Sequence, residues 1–568
     1  MHFQRAASTM FSLITRVVAA LWLAAPPPTS ASNPVVHGSS GLSYIGLHNA
    51  TSGQDYFLGI PFAQPPVGPL RFKPPVPWAR GNVSVVNAML DGASCEQNVP
   101  YTNNRISEDC LTLNVWKPTN VTGKLPVMVW IYGGGFYQGE IQRYPGTYLL
   151  ERANKIGKPI IYVAMNYRLG IYGFPPGQAA ADAGGTNLAF KDQRLALEWV
   201  HRNIAYFGGD PEKVTIFGVS AGAVSAAYQS FYNEGNIGKL FRGMILESGS
   251  PTTVNAARPD DPIREAGFRF IANATNCLDS AASFECVRNA PADVLSRANK
   301  DLFVVEPYYR AIGQAPTIFG PTYAPNDEFF PAPIPQLMHS GKFAEIPFIS
   351  GALLDEGTVF VDGPETSIED DRDIINWLTA RFPGLYLGIS NVTAVKELLS
   401  LYPTSPAAGS PYGTGNETFG RSAQYKRFAS LFGDLAFQAP RRDFLRSATK
   451  FGVPTWSYIF KERSLDYPPA YGIAHGSDTS FVMQTWGMST PNTSPAAIDL
   501  MKTIGDYWIS FAYYLNPNPR NNPCRKFWPQ YGRAEIALQL LASNVTTFKD
   551  SARTEAVDFL IDGNGLYS

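Results

Sequence analysis

Residues 213–222 read KVTIFGVSAG, an apolar run that ends in a serine, Ser220, with Gly218 and Gly222 two positions to either side. The run reads as a strand, and AGAVSAAYQSF after it reads as a helix. A Gly-x-Ser-x-Gly turn between a strand and a helix is so sharp that a side chain at either glycine would press on the neighbouring strand or helix, and it holds the serine hydroxyl clear of the backbone. The helix N-terminus behind it favours a developing negative charge. The motif alone also fits an ordinary strand-to-helix turn with a coincidental serine, so other features have to decide.

The surrounding chain alternates apolar runs with helical patterns. LPVMVWIY (125–132), PIIYVAMNY (159–167), KVTIFGVS (213–220), GMILES (243–248), IPFISGAL (346–353) and PTWSYIF (454–460) read as strands. Between the second and third, Leu195, Leu197, Trp199, Val200 and Ile204 are spaced as a buried helix face that stops at Gly208-Gly209. This alternation predicts an α/β fold with a mostly parallel central sheet. The chain has 568 residues and is 45% hydrophobic, enough for a large core. It shows no internal repeat, and the proline and glycine clusters near 325–335 and 403–415 read as loops within one domain rather than linkers. A net charge of -1, with no long run of lysine and arginine, argues against a nucleic-acid partner.

The first residues carry Arg5 and Arg16, an apolar stretch from Val17 to Ala25, then prolines and small residues. The apolar stretch is too short to span a membrane, and residues 1–31 read as a secretory leader with a cleavage site near Thr29-Ser30-Ala31, leaving 32–568 as the domain. Secretion predicts glycans and oxidised cysteines. Sequons stand at Asn49, Asn82, Asn120, Asn273, Asn391, Asn416, Asn492 and Asn544. Of five cysteines, Cys95 lies near Cys110 and Cys277 near Cys286, with Cys524 left over, although proximity in sequence leaves the connectivity open. With neither a C-x-x-C nor clustered histidines, no metal site is expected.

A nucleophilic serine needs a base, and this elbow demands the chain order serine, acid, histidine. Of six histidines, only His339 and His475 follow Ser220 by enough sequence to come from a later strand. His339 precedes a strand and reads as a surface or packing residue. His475, in YGIAHGSDTSF after the strand PTWSYIF, occupies a glycine-flanked loop and is the expected base. IPFISGALLDEG ends a strand with Asp355 and Glu356, one of which would orient the imidazole; spacing does not choose between them. WIYGGGFYQG places Gly133, Gly134 and Gly135 after a strand, as in the oxyanion loops of lipases and esterases. The competing phosphate cradle would need a following helix and a lysine or G-x-G-x-x-G spacing, which this stretch lacks.

Together GIPFAQPPVGPLRF (59–72), SEDCLTLNVWKP (107–118), YGGGF (132–136), FGGDPEKVTIFGVSAGA (207–223), DEG (355–357) and the AHG loop resemble the type-B carboxylesterases, the cholinesterase and fungal lipase family of α/β-hydrolases. The resemblance covers nearly everything after the leader. It implies an α/β-hydrolase fold, a mostly parallel central sheet flanked by helices with large loop and helical insertions. It implies Ser220 as nucleophile, Glu356 as acid, His475 as base, and Gly134, Gly135 and Ala221 as oxyanion donors. It also implies Cys95–Cys110 and Cys277–Cys286 disulfides and a structural Arg71–Glu108 ion pair. The function so implied is a secreted serine ester hydrolase acting through an acyl-enzyme on a small-molecule or lipid ester, with no cofactor and no stable membrane anchor.

Two departures bear on substrate. Val219 stands where the family usually carries a glutamate, and no tryptophan lies between Cys95 and Cys110, so no preference for cationic choline esters is expected. That loop, Glu96 to Asp109, is also shorter than the lid-bearing loop of fungal lipases. An open gorge with little interfacial activation on uncharged esters follows. The alternatives are a true lipase or sterol esterase working at lipid interfaces, a feruloyl-type esterase, and, from another class, a non-catalytic cholinesterase-like binding protein, against which the intact serine, acid and histidine argue.

Overall fold

The computed structural model describes residues 33–97, 105–120, 123–302, 319–361, 368–379, 389, 391–487, 494–518 and 525–563. The expected leader, Asn492, Cys524 and residues 98–104 of the Cys95–Cys110 loop lie outside them.

Fourteen strands are described: β1 (Val35–His37), β2 (Ser43–Ile45), β3 (Leu47–Asn49), β4 (Gln54–Pro61), β5 (Val85–Asn87), β6 (Thr112–Pro118), β7 (Leu125–Ile131), β8 (Ile161–Met165), β9 (Gly209–Val219), β10 (Gly243–Glu247), β11 (Phe348–Leu353), β12 (Thr455–Phe460), β13 (Ile536–Leu540) and β14 (Thr546–Lys549). Eleven form one sheet in the order β14-β13-β12-β11-β10-β9-β7-β8-β6-β4-β3, while β1, β2 and β5 form a small separate one. Its centre, β8-β7-β9-β10-β11-β12-β13, is parallel throughout. Antiparallel strands finish both edges, β14 on one side and β6, β4 and β3 on the other.

All six runs read as strands from the sequence lie in that parallel centre. β7, β8, β10, β11 and β12 are buried at every position, the pattern of strands covered by helices on both faces. The edge strands β3 and β14 have no fully buried residue and so carry no long apolar run to betray them. The helix Leu188–Asn203 buries its predicted face, and Gly208, at φ 90°, turns the chain into β9.

Between β11 and β12 a helical insertion gathers its own apolar cluster. Ile374 and Leu378 of the helix Asp371–Thr379 meet Leu398 of Val392–Ser400 and Phe428 and Phe432 of Tyr425–Gly433 there, and Val557 of the C-terminal helix Thr554–Asp562 joins them. The helix Ala439–Lys450 then ties the sheet edge down by charge. Its Arg441 and Arg442 both reach Asp550, just after β14, at 2.8 Å, and the Tyr531 hydroxyl donates to the same carboxylate at 3.1 Å. Burial alone would raise the Asp550 pKa, but the two guanidiniums hold it well below the usual carboxylate range.

Breaking such a cluster costs more than it contributes when whole, because the remaining charges stay buried without a partner. Asp550→Ala leaves two guanidiniums in that state, and a loss of about 3–5 kcal/mol is expected in urea unfolding. A loss below about 1 kcal/mol, the range of exposed pairs, would show that the cluster does not anchor this edge.

Candidate active site

The elbow is built by close backbone approach. Ser220 joins β9 to the helix Ala221–Gln229 with φ 56° and ψ −128°, a conformation that costs a non-glycine residue about 1–3 kcal/mol. It is held there because its N–H donates to Glu247 O at 2.8 Å and its carbonyl accepts from Val224 N–H at 2.9 Å. A Cβ on Gly218 would lie 2.3 Å from Ile131 O, and one on Gly222 2.0 Å from the same oxygen. Two further glycines are fixed by the same crowding. A Cβ on Gly133 would meet Val219 O at 2.5 Å, and one on Gly249 would meet Ser220 O at 2.6 Å.

The histidine and acid come from the ends of two neighbouring strands. Glu356, just beyond β11, is 1% exposed; its Oε1 accepts from Leu353 N–H at 2.8 Å and its Oε2 lies 2.5 Å from His475 Nδ1. Asp355 faces elsewhere. Its carboxylate accepts from the Ser410 hydroxyl at 2.7 Å and from the backbone N–H groups of Tyr412 at 3.0 Å and Ile473 at 2.9 Å. It thereby pins the start of the loop that carries His475, and its burial raises its pKa. Of the two acids that spacing leaves open, Glu356 lies against the imidazole and Asp355 on the loop backbone.

Ser220, His475 and Gly133–Gly135 line one cavity of about 710 Å³ at the carboxyl ends of β7, β9 and β12, where open α/β sheets place their ligands. Gly134 (φ 115°) and Gly135 (φ 61°) adopt backbone conformations that ordinary residues avoid. The loop is closed by Tyr137 and Gln138 N–H donating to Gly134 O, and among the described residues the amides of Gly134, Gly135 and, at the helix start, Ala221 donate to no backbone carbonyl. His475 Nε2 is buried without a hydrogen-bond partner among the described residues. A hydroxyl, an imidazole backed by a carboxylate and spare amide donors on one cavity can carry out nucleophilic acyl transfer. Val219, which departs from the glutamate usual in the resembled family, also lines this cavity. Among the described residues no group of three or more His, Cys, Asp and Glu is placed to hold a metal ion.

Several supporting groups were not legible in the sequence. The imidazole packs against Phe360 (ring centroids 4.9 Å apart) and Phe437 (4.7 Å). Phe437 sits on a π-helical turn, Asp434–Gln438, between two α-helices, a register change that sequence periodicity does not announce. Two more carboxylates are buried behind the histidine. Asp478 accepts from the Tyr458 hydroxyl at 2.9 Å, and Glu247 accepts from Trp508 Nε1 at 2.8 Å. Burial pushes Asp478 up to about 7, with the Glu356 charge adding to the shift while the Tyr458 hydrogen bond and His475 oppose it. Glu247 is raised by burial and by facing Asp478. Asp478 follows His475 by three residues, the one sequence cue that could have drawn attention to it.

The remaining expectations fall around the site. The Cys95–Cys110 and Cys277–Cys286 disulfides are present. Arg71 grips Glu108 with two 2.7 Å bonds and also donates to the carbonyls of Arg288 and Ala290, a wholly structural set of partners. His339 pairs with Asp443 at 2.9 Å and does not line the Ser220 cavity. Asn82, Asn120, Asn273, Asn391, Asn416 and Asn544 are exposed and Asn49 is half-buried. No helix of the described residues is long and apolar enough to cross a membrane.

Known proteins bear on this geometry. A family model described as Carboxylesterase family matches residues 43–560. Secreted lipase 1 of Botryotinia fuckeliana is 34% identical over 566 residues, 94% of this chain and 93% of the relative. Lipase 1 of Geotrichum candidum is 35% identical over 551 residues, 89% of this chain and 91% of the relative. Among solved structures, the crystal structure of Aspergillus niger EstA matches with a TM-score of 0.80 and 25% identity, covering 94% of this chain and 99% of that one.

The raised pKa of Asp478 has a signed consequence. Between about pH 4, where an unfolded aspartate ionises, and about 7, the folded state holds a proton that the unfolded state has lost, so this group makes folding less favourable as pH rises across that window. Asp478→Asn should therefore flatten the decline, its melting temperature gaining on wild type between pH 4.5 and 7. Parallel wild-type and variant curves over that range would mean that Asp478 is ionised in the native state.

Proposed function

Because the chain belongs to the carboxylesterase family and is an ester-hydrolysing enzyme, we propose that Ser220, His475 and Glu356 are its catalytic triad and that it works through an acyl-enzyme. The observation that carries this reading is the convergence of Ser220, the glycine loop and a carboxylate-backed imidazole on one cavity. Ser220 Oγ attacks the ester carbonyl carbon while its proton passes to His475 Nε2. Glu356 holds the imidazole by Nδ1 and stabilises the cation. The oxyanion accepts hydrogen bonds from the amides of Gly134, Gly135 and Ala221; one such donor is typically worth about 2.7–4 kcal/mol in the transition state. As the tetrahedral intermediate collapses, the carbonyl–alkoxy bond breaks and the imidazolium gives its proton to the departing alcohol. Water then repeats the steps on the acyl-enzyme and frees the acid.

The substrates so inferred are uncharged small-molecule or lipid esters. Val219 supplies no negative charge for a cationic alcohol, and the short Glu96–Asp109 loop supports hydrolysis of dispersed substrates with little interfacial activation. A leader at 1–31, one domain over 32–568 and a secreted location are part of the same reading, supported by exposed sequons and two disulfides and by relatives named as secreted lipases. Those names also favour a second reading, a lipase active on aggregated long-chain esters.

Two measurements test these assignments. Ser220→Ala should abolish both ester turnover and labelling by an active-site phosphonate. Glu356→Gln should lower kcat by roughly 10⁴-fold, as loss of the imidazole's acid partner does in a serine triad; an equal fall from Asp355→Asn with Glu356→Gln near wild type would reverse the choice of acid. Rate followed against concentration through the solubility limit separates the readings of substrate. A hyperbola indifferent to that limit fits the esterase, and a jump at the limit with long acyl chains fits the lipase.

A further inference from the structure

A second cavity, of about 630 Å³, shares no lining residue with the one that holds Ser220. Leu500 of the helix Pro495–Tyr514 and Val545 give it an apolar side, while Lys526 and the Arg525–Asp499 ion pair, at 3.0 Å, give it a charged one. Phe527 lines it as well and is 68% exposed, the most exposed aromatic side chain among the described residues. A lone exposed apolar residue is ordinary. This one, however, shares its cavity with Asn544, the asparagine of the sequon Asn544-Val545-Thr546.

Asn544 stands in the short loop between β13 and β14, which is tied through its backbone. Asn544 N–H donates to Leu541 O at 3.0 Å, and Asn544 O accepts from Gln539 Nε2 at 3.1 Å. Those bonds leave the Asn544 side-chain amide out. Other sequons spend their side chains on the fold: Asn49 Nδ2 donates to the Tyr56 hydroxyl at 3.0 Å, Asn391 Oδ1 accepts from Thr393 and Ala394 N–H as a helix cap, and the hydroxyl of Thr275, in the Asn273 sequon, donates to Ile271 O at 2.8 Å. A pyranose ring carries a face of C–H groups and an edge of hydroxyls, so it matches a cavity with one aromatic and aliphatic side and one charged side. We propose that Asn544 carries an N-linked glycan whose first N-acetylglucosamine sits in this cavity, its C–H face on Phe527 and its hydroxyls toward Asp499, Arg525 and Lys526. In the transfer, the bond from the oligosaccharide's anomeric carbon to a lipid-linked pyrophosphate donor breaks as a bond to Asn544 Nδ2 forms; the amide nitrogen loses one proton and the pyrophosphate leaves with the electron pair. This rests on the secreted location and adds to it a seat for one sugar.

The test uses the full-length chain secreted from a eukaryotic host, with glycopeptide mass spectrometry at every sequon and then digestion of the folded protein by peptide N-glycosidase F, which cuts between asparagine and the first sugar. Asn544 should be occupied in most molecules. Its glycan should leave the folded protein more slowly than glycans on exposed sequons such as Asn82 and Asn416. Phe527→Ser should speed release at Asn544 by roughly 2- to 10-fold, the worth of an aromatic contact in an equilibrium, and leave release elsewhere unchanged. Phe527→Leu keeps the apolar bulk without the aromatic face and should shift release in the same direction, so the test stands if the serine variant is not secreted. Ester turnover by either variant should match wild type, since Phe527 does not line the Ser220 cavity. Asn544 unmodified while other sequons carry glycans overturns the proposal and leaves the secreted location standing; a chain with no glycan at any sequon overturns both. An occupied Asn544 whose release neither variant alters overturns the seat on Phe527 and the proposal with it.

Discussion

The carbonyl of Ile131, the last residue of β7, is the fixed point of the site. It lies 2.0 Å and 2.3 Å from where side chains on Gly222 and Gly218 would begin, so β7, β9 and the helix Ala221–Gln229 meet backbone to backbone. The chain leaving β7 then has to pass Ser220 at equally close range, which is why Gly133 also lacks room for a Cβ. One contact thus sets Ser220, the start of the helix that follows it and the Gly133–Gly135 loop in a single close-packed arrangement. The unfavourable φ of Ser220, on the order of 1–3 kcal/mol, is sustained by that packing and by its hydrogen bonds to Glu247 and Val224. Preorganised backbone donors need no rearrangement when charge develops, which is their advantage over flexible side chains.

The histidine is positioned by the opposite means. Its loop lies far along the chain from Ser220, and side chains rather than backbone crowding hold it: Glu356 at Nδ1, Phe360 and Phe437 against the ring, and Asp355 on Ile473 N–H two residues before it. Two adjacent acids have divided the work, one on the ring and one on the loop. Behind them, Asp478 and Glu247 add carboxylates to a region from which water is excluded. Ionising all of these together would set like charges against one another at low dielectric. The raised pKa of Asp478 lessens that conflict beside Glu356.

What could be read in the sequence was the part written in local chemistry. The elbow, the glycine loop and the central strands each occupy a short stretch whose residue types admit few conformations, and each stands where the spacing places it. The choice between Asp355 and Glu356 was not available from spacing, because neighbouring residues at a strand end differ only in where their side chains turn; resemblance supplied it. Phe437 was hidden for a different reason, since a π-turn shifts register inside a run that reads as plain helix. The edge strands β3 and β14 are half-exposed and short, so tertiary pairing rather than pattern defines them.

The wall of the cavity holds information of the same hidden kind. Ser464, Tyr467, Ser477, Thr479, Ser480 and Thr485 are spread over 464–485, each an ordinary polar residue on its own, and only the fold brings them to the space that Ser220 and His475 share. Chemistry at an ester bond is largely indifferent to what lies beyond that bond, so the choice among esters falls to such segments around it.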